Sequence, residues 1–415
     1  MEQEDRGLAM LLRASRCAGL APYRSLPNSQ ISPAFAIYSR FLFFCYGGTT
    51  ITAIWLYGLQ KYRDDLALSH SLAVWVLHAI EGVCVSGIFY NGMYHSPRRM
   101  RRTFYYWKRV KTIRRDVGRM PSLDSAQRHA WGLFVWSQLL LTTLYLINIF
   151  IFSKNADMLK YLKVAFIYTF LDTAYFVTNI IIAQFVFVAM MINSCFRAIN
   201  EELEELVSDM LSKDETIHTQ NEQLKQYSSM GLKIPMSKIN ISIDLLGTMI
   251  QQREDKKLVH EKLRSLARAY VSTCGLVQQH NSSEEAVLLL LLVYIISNFV
   301  SAVCATIWSL TDGESDSTFV LAVDAFWYLQ HMCRGMLLAA PPHVMGQEVA
   351  RTGKLICKIA STVQYSYDPL LAELDVFYTQ LMLNQPAYTL LEMFHLRRPL
   401  VLNAMAIFTI YLVFQ

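Results

Sequence analysis

A chain of 415 residues with 53% hydrophobic, 12% aromatic and only 17% charged side chains falls well short of the roughly 25% charge of soluble domains, so it is composed for lipid rather than water. Its formal charge of +5 is small and gathered in loops, which suits a membrane surface and leaves no need for a nucleic-acid partner. A Gly-rich phosphate loop, a His/Cys metal spacing, a G-x-S-x-G turn and an H-E-x-x-H helix are all missing from the sequence, so neither an enzyme nor a bound cofactor is expected.

The N-terminal arm carries Arg6, Arg13, Arg16 and Arg24, and its apolar stretch around Leu8 to Leu12 is short and interrupted. No cleavable signal peptide is expected there, so the first membrane helix must direct insertion. Apolar runs then follow at Phe41–Leu59, Leu68–Tyr90, Trp131–Phe152, Tyr161–Ile192, Ala286–Leu310, Phe319–Ala340 and Pro399–Gln415. Crossing a hydrocarbon core of about 30 Å takes about 20 helical residues, and a spanning segment must satisfy its own backbone hydrogen bonds. The runs therefore predict an all-α membrane protein with seven transmembrane helices, the last at the short limit for crossing.

Lysine and arginine set the orientation. The N-terminal arm holds five, the loop after the second span eleven, the long loop after the fourth eleven, and the segment before the seventh five. The three intervening loops hold two, two and none. Cytoplasmic loops carry the excess, so the N-terminus is predicted cytoplasmic and the C-terminus extracellular. The basic stretch from Arg98 to Arg119 gives this answer alone. A G-protein-coupled receptor has as many helices in the opposite orientation. Cys17, Cys45, Cys84, Cys195, Cys274, Cys304, Cys333 and Cys357 all fall in spans or on the inner side, where no structural disulfide is expected. The sequons at Asn240 and Asn281 fall on the inner side too and should remain unmodified.

From Ser194 to Glu285 charges of both signs mix with apolar residues at helical spacing, as in Ile199, Leu203 and Leu206 and again in Leu263, Leu266 and Tyr270. This pattern predicts cytoplasmic extensions of the fourth and fifth spans, joined by a flexible polar loop over Thr216–Ile241 that contains Gly231 and Pro235. Pro341 and Pro342 should kink the exit of the sixth span. Helical mixtures follow over Val344–Val363 and from about Pro369 to Leu383. The chain divides into residues 1–340, the arm and six spans with cytoplasmic loops at 91–130 and 193–285, and residues 341–415, a cytoplasmic helical segment and the seventh helix.

Ionisable and polar groups inside spans are costly and usually face the bundle interior. The outer halves contain His78, Tyr145, Asn148, Tyr168, Asp172, Tyr175, Asn298, Trp308, Asp324, Trp327 and Tyr328. Aromatics with a few polar groups suit a small-molecule pocket. Two other readings stay open: tryptophan and tyrosine near helix ends form the interfacial belt, and polar side chains bond helix to helix. Asp172 and Asp324 stand out, because a carboxylate is hardest to account for as packing. Glu81, nearer mid-membrane, suits a contact with Arg334 or with a neighbouring helix. Lone histidines such as His78 and His331 suit packed bundle positions better than metal ligation.

The arm sequence Cys17-Ala18-Gly19-Leu20-Ala21-Pro22-Tyr23, the stretch Phe377-Tyr378-Thr379-Gln380-Leu381 and the turn Phe394-His395-Leu396-Arg397-Arg398-Pro399-Leu400 resemble three motifs of the insect gustatory receptor family. These are its GL-x-P-aromatic arm, its F-x-x-Q-L before the last span, and its phenylalanine-led turn into helix seven. With the length, the orientation and the long loop between spans four and five, the resemblance covers nearly the whole chain. It departs at the end. The family's Thr-Tyr, five apolar residues, Gln-Phe becomes Thr409-Ile410-Tyr411-Leu412-Val413-Phe414-Gln415, as a degenerated or truncated motif would read.

The resemblance implies a multi-pass receptor of the cell membrane. It implies a homo- or hetero-tetrameric, ligand-gated, non-selective cation channel for taste, with the tastant held in each subunit's outer half and the pore lined by the last helices. The binding residues it points to are His78, Asn148, Tyr168, Asp172, Tyr175, Asn298, Trp308, Asp324, Trp327 and Tyr328, and the pore residues are Tyr411, Phe414 and Gln415. Bitter-type ligands suit the short outer loops better than sugars. The alternatives are an insect odorant receptor, which shares the topology, and a membrane transporter of a different class.

Overall fold

The computed structural model describes residues 12–13, 15–21, 31–49, 52, 70–119, 132, 134–147, 158–229, 238–311, 317–362 and 369–413. Within its helices it leaves out the side chains of 70–75, 158–172, 213–229, 238–256, 305, 308–311, 317–321, 324, 362, 369 and 408–413. The described chain is almost entirely helical: α1 Pro33–Leu42, α2 His70–Phe89, α3 Ser96–Val117, α4 Phe134–Ile147, α5 Met158–Ser229, α6 Lys238–Thr311, α7 Ser317–Thr362, α8 Pro369–Leu383 and α9 Arg398–Val413. A two-residue hairpin, β1 Thr389–Leu390 and β2 Phe394–His395, precedes α9. Each predicted apolar run with described backbone is helical, at least over its described part. Among the described residues, two helices carry stretches long and apolar enough to cross a membrane, within 173–212 of α5 and 257–304 of α6.

The long helices α5, α6 and α7 pack on one another, and α2, α3, α8 and α9 lean on them. α2 lies on α6, α3 bridges α5 and α6, and α8 and α9 each touch α6 and α7. The core is the apolar seam among these three, with Ile180, Ala189, Phe196, Leu288, Leu291, Ile295, Leu338 and Ala339 buried. In lipid no hydrophobic driving force joins helix to helix, so such a seam is held by close side-chain packing.

Two predicted loops are helical. The basic stretch after α2 is a π-helical turn, Tyr90–Tyr94, followed by α3. α3 starts on Ser96 with a proline in its first turn and ends at Gly118, whose φ of 84° lets its N–H reach the Arg114 and Arg115 carbonyls at 3.1 Å. Its basic residues hid this, because α3 buries Arg99 and Arg114 along with Phe104, Tyr106 and Val110. The polar connection after α5 is also helical as far as Ser229 and again from Lys238. Glu222, Gln223, Leu224, Lys225 and Gln226 all favour helix, whereas Gly231 and Pro235 lie outside the described residues. The predicted extensions of the fourth and fifth spans are continuous with those spans. α7 runs through Pro341 and Pro342 without a break, and Asn193 Nδ2 of α5 donates to the Pro341 carbonyl at 2.8 Å.

Away from the apolar spans the core continues through Leu203, Leu206, Leu263 and Leu266, and charge pairs flank it. Arg99 Nε and Nη2 meet Glu284 at 3.2 and 2.9 Å across the α3–α6 contact, with both side chains almost wholly buried. Arg351 of α7 forks onto Glu204 of α5 at 3.0 and 2.7 Å, and Thr352 donates to Asn200 at 2.7 Å. Lys262 of α6 reaches Glu202 at 2.7 Å, and Arg119 donates to both Glu202 and Glu205. The motif phenylalanine Phe377 is fully buried on α8 against Tyr270, with ring centroids 5.8 Å apart, and Gln380 Oε1 accepts from Asn384 at 2.8 Å. Phe377 packs α8 onto α6, and Gln380 holds Asn384, whose carbonyl accepts from Tyr270 of α6 at 3.3 Å.

The hairpin turn places Leu391 and Glu392 at φ of 50° and 57°, a conformation costing a non-glycine residue about 1–2 kcal/mol. It is held there because the Glu392 N–H donates to Glu285 Oε1 at 2.8 Å and Asn281 clasps Thr389 through two hydrogen bonds of 2.9 and 3.1 Å. Asn281 is therefore buried and engaged, a second reason for its sequon to stay unmodified. Beside it His280 shares a hydrogen bond with the Tyr388 hydroxyl at 3.3 Å and stacks on Phe185. Burial, then the Arg99 charge, push the His280 imidazole down to about 3, so it stays neutral and packs as an aromatic ring.

Candidate ligand site

Residues spaced four and then three apart lie on one face of a helix, so Trp327, His331 and Arg334 of α7 project together. Tyr175, Thr178 and Asn179 do the same on α5, and Tyr294 and Asn298 on α6. These three faces meet. The Arg334 guanidinium is wholly buried and donates from Nε to Asn179 Oδ1 at 2.6 Å, and from Nη2 to the Tyr175 carbonyl at 2.7 Å and to Thr178 Oγ1 at 3.2 Å. It also lies 4.7 Å from the centroid of the Tyr175 ring and 5.9 Å from that of Tyr294, cation–π contacts that gain strength where water is excluded.

Around that charge is an aromatic wall. Tyr175 packs at 5.2 Å on Trp327, which stacks at 5.8 Å and 19° on His331. The Tyr175 hydroxyl donates to Asn298 Oδ1 at 2.5 Å, and Asn298 Nδ2 donates to the Tyr294 carbonyl at 2.8 Å. From α4, Ser137 accepts from Asn179 at 3.4 Å and donates to Gln330 Oε1 at 3.3 Å. His331 Nδ1 and Gln330 Nε2 are buried with no hydrogen-bond partner among the described residues. Such donors and acceptors are costly to leave unmet, and a polar ligand group is one way to meet them.

Of the residues predicted to bind ligand, Tyr175, Asn298 and Trp327 come together in this cluster. Tyr328 sits on the next face of α7, its hydroxyl 2.5 Å from Thr306 Oγ1 and its ring 5.7 Å from Phe299. His78 lies apart on α2, its Nδ1 3.4 Å from Glu81, so Glu81 bonds to His78 and the Arg334 hydrogen bonds go to α5. Asn148 lies outside the described residues. Tyr168, Asp172, Trp308 and Asp324 fall on α5, α6 and α7, and their side chains are likewise outside. From sequence, Arg334 and His331 read as packing residues, and Gln330 and Asn179 did not stand out. An arginine in a segment with no other charge for several residues on either side was the available signal.

The cluster sits one residue from the last helix. At Gly335 an added Cβ would lie 2.7 Å from Val401 Cγ1 and 3.4 Å from Met405 Cε of α9, so only glycine permits this approach of α7 to α9. Val401 and Met405 are buried there, while Ile407 on another face is 65% exposed. Tyr411 lies within α9 with its side chain undescribed, and Phe414 and Gln415 lie beyond the described residues. Among the described residues no three His, Cys, Asp or Glu side chains gather as metal ligands.

Comparison with known proteins gives a family and a fold. The family model described as 7tm chemosensory receptor matches residues 8–414. Curated protein sequences gave no match. Among solved structures, the chain is similar to the insect olfactory receptor OR5 from Machilis hrabei in complex with eugenol, with a TM-score of 0.57 at 13% identity, covering 99% of this chain and 98% of that one. The same receptor without that ligand in its description gives 0.58 at 12% identity, covering 99% and 97%. At such identity the likeness is one of fold.

Proposed function

The chain belongs to the 7tm chemosensory receptor family, and from that premise we propose that it is a gustatory receptor, one subunit of a ligand-gated, non-selective cation channel opened by a small organic molecule. The observation that carries this reading is the Tyr175–Asn298–Trp327–His331–Arg334 cluster around a buried guanidinium, one residue from the glycine contact between α7 and α9. A ligand seated there acts on three helices at once. A shift of α7 is passed to α9 through the Gly335–Val401 contact, and the ligand biases opening by its differential affinity for the two packings. Asp172, Asp324, Tyr168, Trp308 and Asn148 complete the outer wall in this proposal. Tyr411, Phe414 and Gln415 line the pore that four copies of α9 form about a symmetry axis.

A second reading, an odorant receptor, is favoured by the fold shared with an olfactory receptor. The two separate on expression in oocytes. A gustatory receptor gives current to water-soluble tastants, whereas an odorant receptor responds to a volatile and only when a partner subunit is co-expressed. Either reading requires seven spans with the N-terminus inside. Thiols introduced at the exposed positions Arg101 and Arg115 of α3 should then react with an impermeant reagent only after permeabilisation, and thiols in 312–316 should react on intact cells. Labelling of α3 from outside overturns the orientation.

A further inference from the structure

A cavity of about 420 Å³ opens where α7 leaves its apolar stretch and α9 begins, lined among others by His343 and Gln347 of α7, Tyr388, His395 of β2, Arg397 and Pro399. Three segments distant in sequence bring two imidazoles and a guanidinium to one hollow, and no aspartate or glutamate is among its lining residues. Arg398 adjoins it. Burial, then the charge of Arg398, push the His343 imidazole below its ordinary range, and Arg398 Nε is buried with no hydrogen-bond partner among the described residues. No carboxylate pairs with Arg397 or Arg398 among the described residues. Adjacent guanidinium charges with no counter-charge beside them favour an anion. The N-terminus of α9, a helix of 16 residues, contributes its positive dipole end at the same place.

We propose that this cavity is a binding site for a phosphomonoester, seated between Arg397, His343 and His395 and against the first turn of α9. Phosphate is favoured over a carboxylate because its three oxygens serve a guanidinium and two imidazoles arriving from different directions. The cavity lies at the level where the apolar stretches of α7 and α9 end at Ala340 and start at Pro399. A phosphorylated lipid headgroup at the membrane face and a soluble phosphate ester share this chemistry. The site does not depend on the ligand-gating proposal.

The full chain purified in detergent would be titrated by native mass spectrometry with dioctanoyl phosphatidylinositol 4-phosphate, inositol 1,4,5-trisphosphate and dioctanoyl phosphatidylcholine. The phosphoinositide should bind at one site per chain and the phosphatidylcholine should not compete. Tight binding of the trisphosphate itself makes the occupant a soluble ester; binding of the lipid alone makes it a membrane headgroup. Two variants locate the site. Arg397→Gln with Arg398→Gln should weaken binding about tenfold or more, as loss of charge-assisted hydrogen bonds does. Gly346→Leu fills the hollow from a helical position where an added Cβ meets nothing within 4 Å, so it should fold normally and also lose binding. Undiminished binding in Gly346→Leu, equal binding of phosphatidylcholine, or no binding of either phosphate compound overturns the proposal.

Discussion

Arg99→Ala is expected to destabilise the solubilised protein by about 3–5 kcal/mol, the cost of leaving a buried carboxylate without its partner. Glu284 is 6% exposed, and Arg99 meets both of its oxygens. Alanine at 99 strands that charge between α3 and α6. The paired replacement Arg99→Met with Glu284→Leu removes both charges and should recover most of the loss, because an apolar pair of similar volume costs little where an ion pair is buried. Thermal melting followed by size-exclusion chromatography reads both. Equal melting of Arg99→Ala and the wild type would show that the pair contributes nothing to holding α3.

Arg334→Met is expected to behave in the opposite way, with a small change in melting and a shift of about tenfold or more in agonist concentration dependence. The difference lies in the partners. Arg334 bonds to the neutral groups of Asn179, Tyr175 and Thr178, so its removal breaks no hydrogen-bonded ion pair. It leaves an unmet amide oxygen worth about 1–3 kcal/mol, partly offset because no guanidinium then has to be buried. What is lost is the positive field and the cation–π contact that orient the Tyr175 ring. Arg334→Lys keeps the charge without the planar fork and should fall between the two. A variant that melts far below the wild type yet responds at unchanged agonist concentrations would make Arg334 a packing residue only.

These two arginines also show what the sequence could and could not disclose. Long apolar runs are legible because a helix in lipid needs some twenty apolar residues in a row, and helices occupy each described run. The helical nature of α3 was hidden because eleven lysines and arginines in residues 91–130 read as a solvated loop. Only the packed structure shows Arg99 and Arg114 turned inward onto other helices. The ligand cluster was half legible: Tyr175, Asn298 and Trp327 stood out as aromatic and polar groups within spans, but their convergence on Arg334 depends on how α5, α6 and α7 are rotated about their axes. One helix's periodicity does not carry that rotation. His78 was equally conspicuous in sequence, and its helix turns it towards Glu81 instead. The motif residue Phe377 turns out to anchor α8 on Tyr270 while Gln380 bonds to Asn384 at the end of α8, packing and capping roles with no chemistry of their own to betray them.

The most direct test is electrical. The chain alone, expressed in oocytes and challenged with a panel of bitter and sweet small molecules, should give an agonist-evoked cation current with little preference between sodium and potassium. Arg334→Met, present at the surface in equal amount, should need a markedly higher agonist concentration. Surface protein that accumulates a labelled small molecule with no accompanying current would contradict the account and make the chain a transporter.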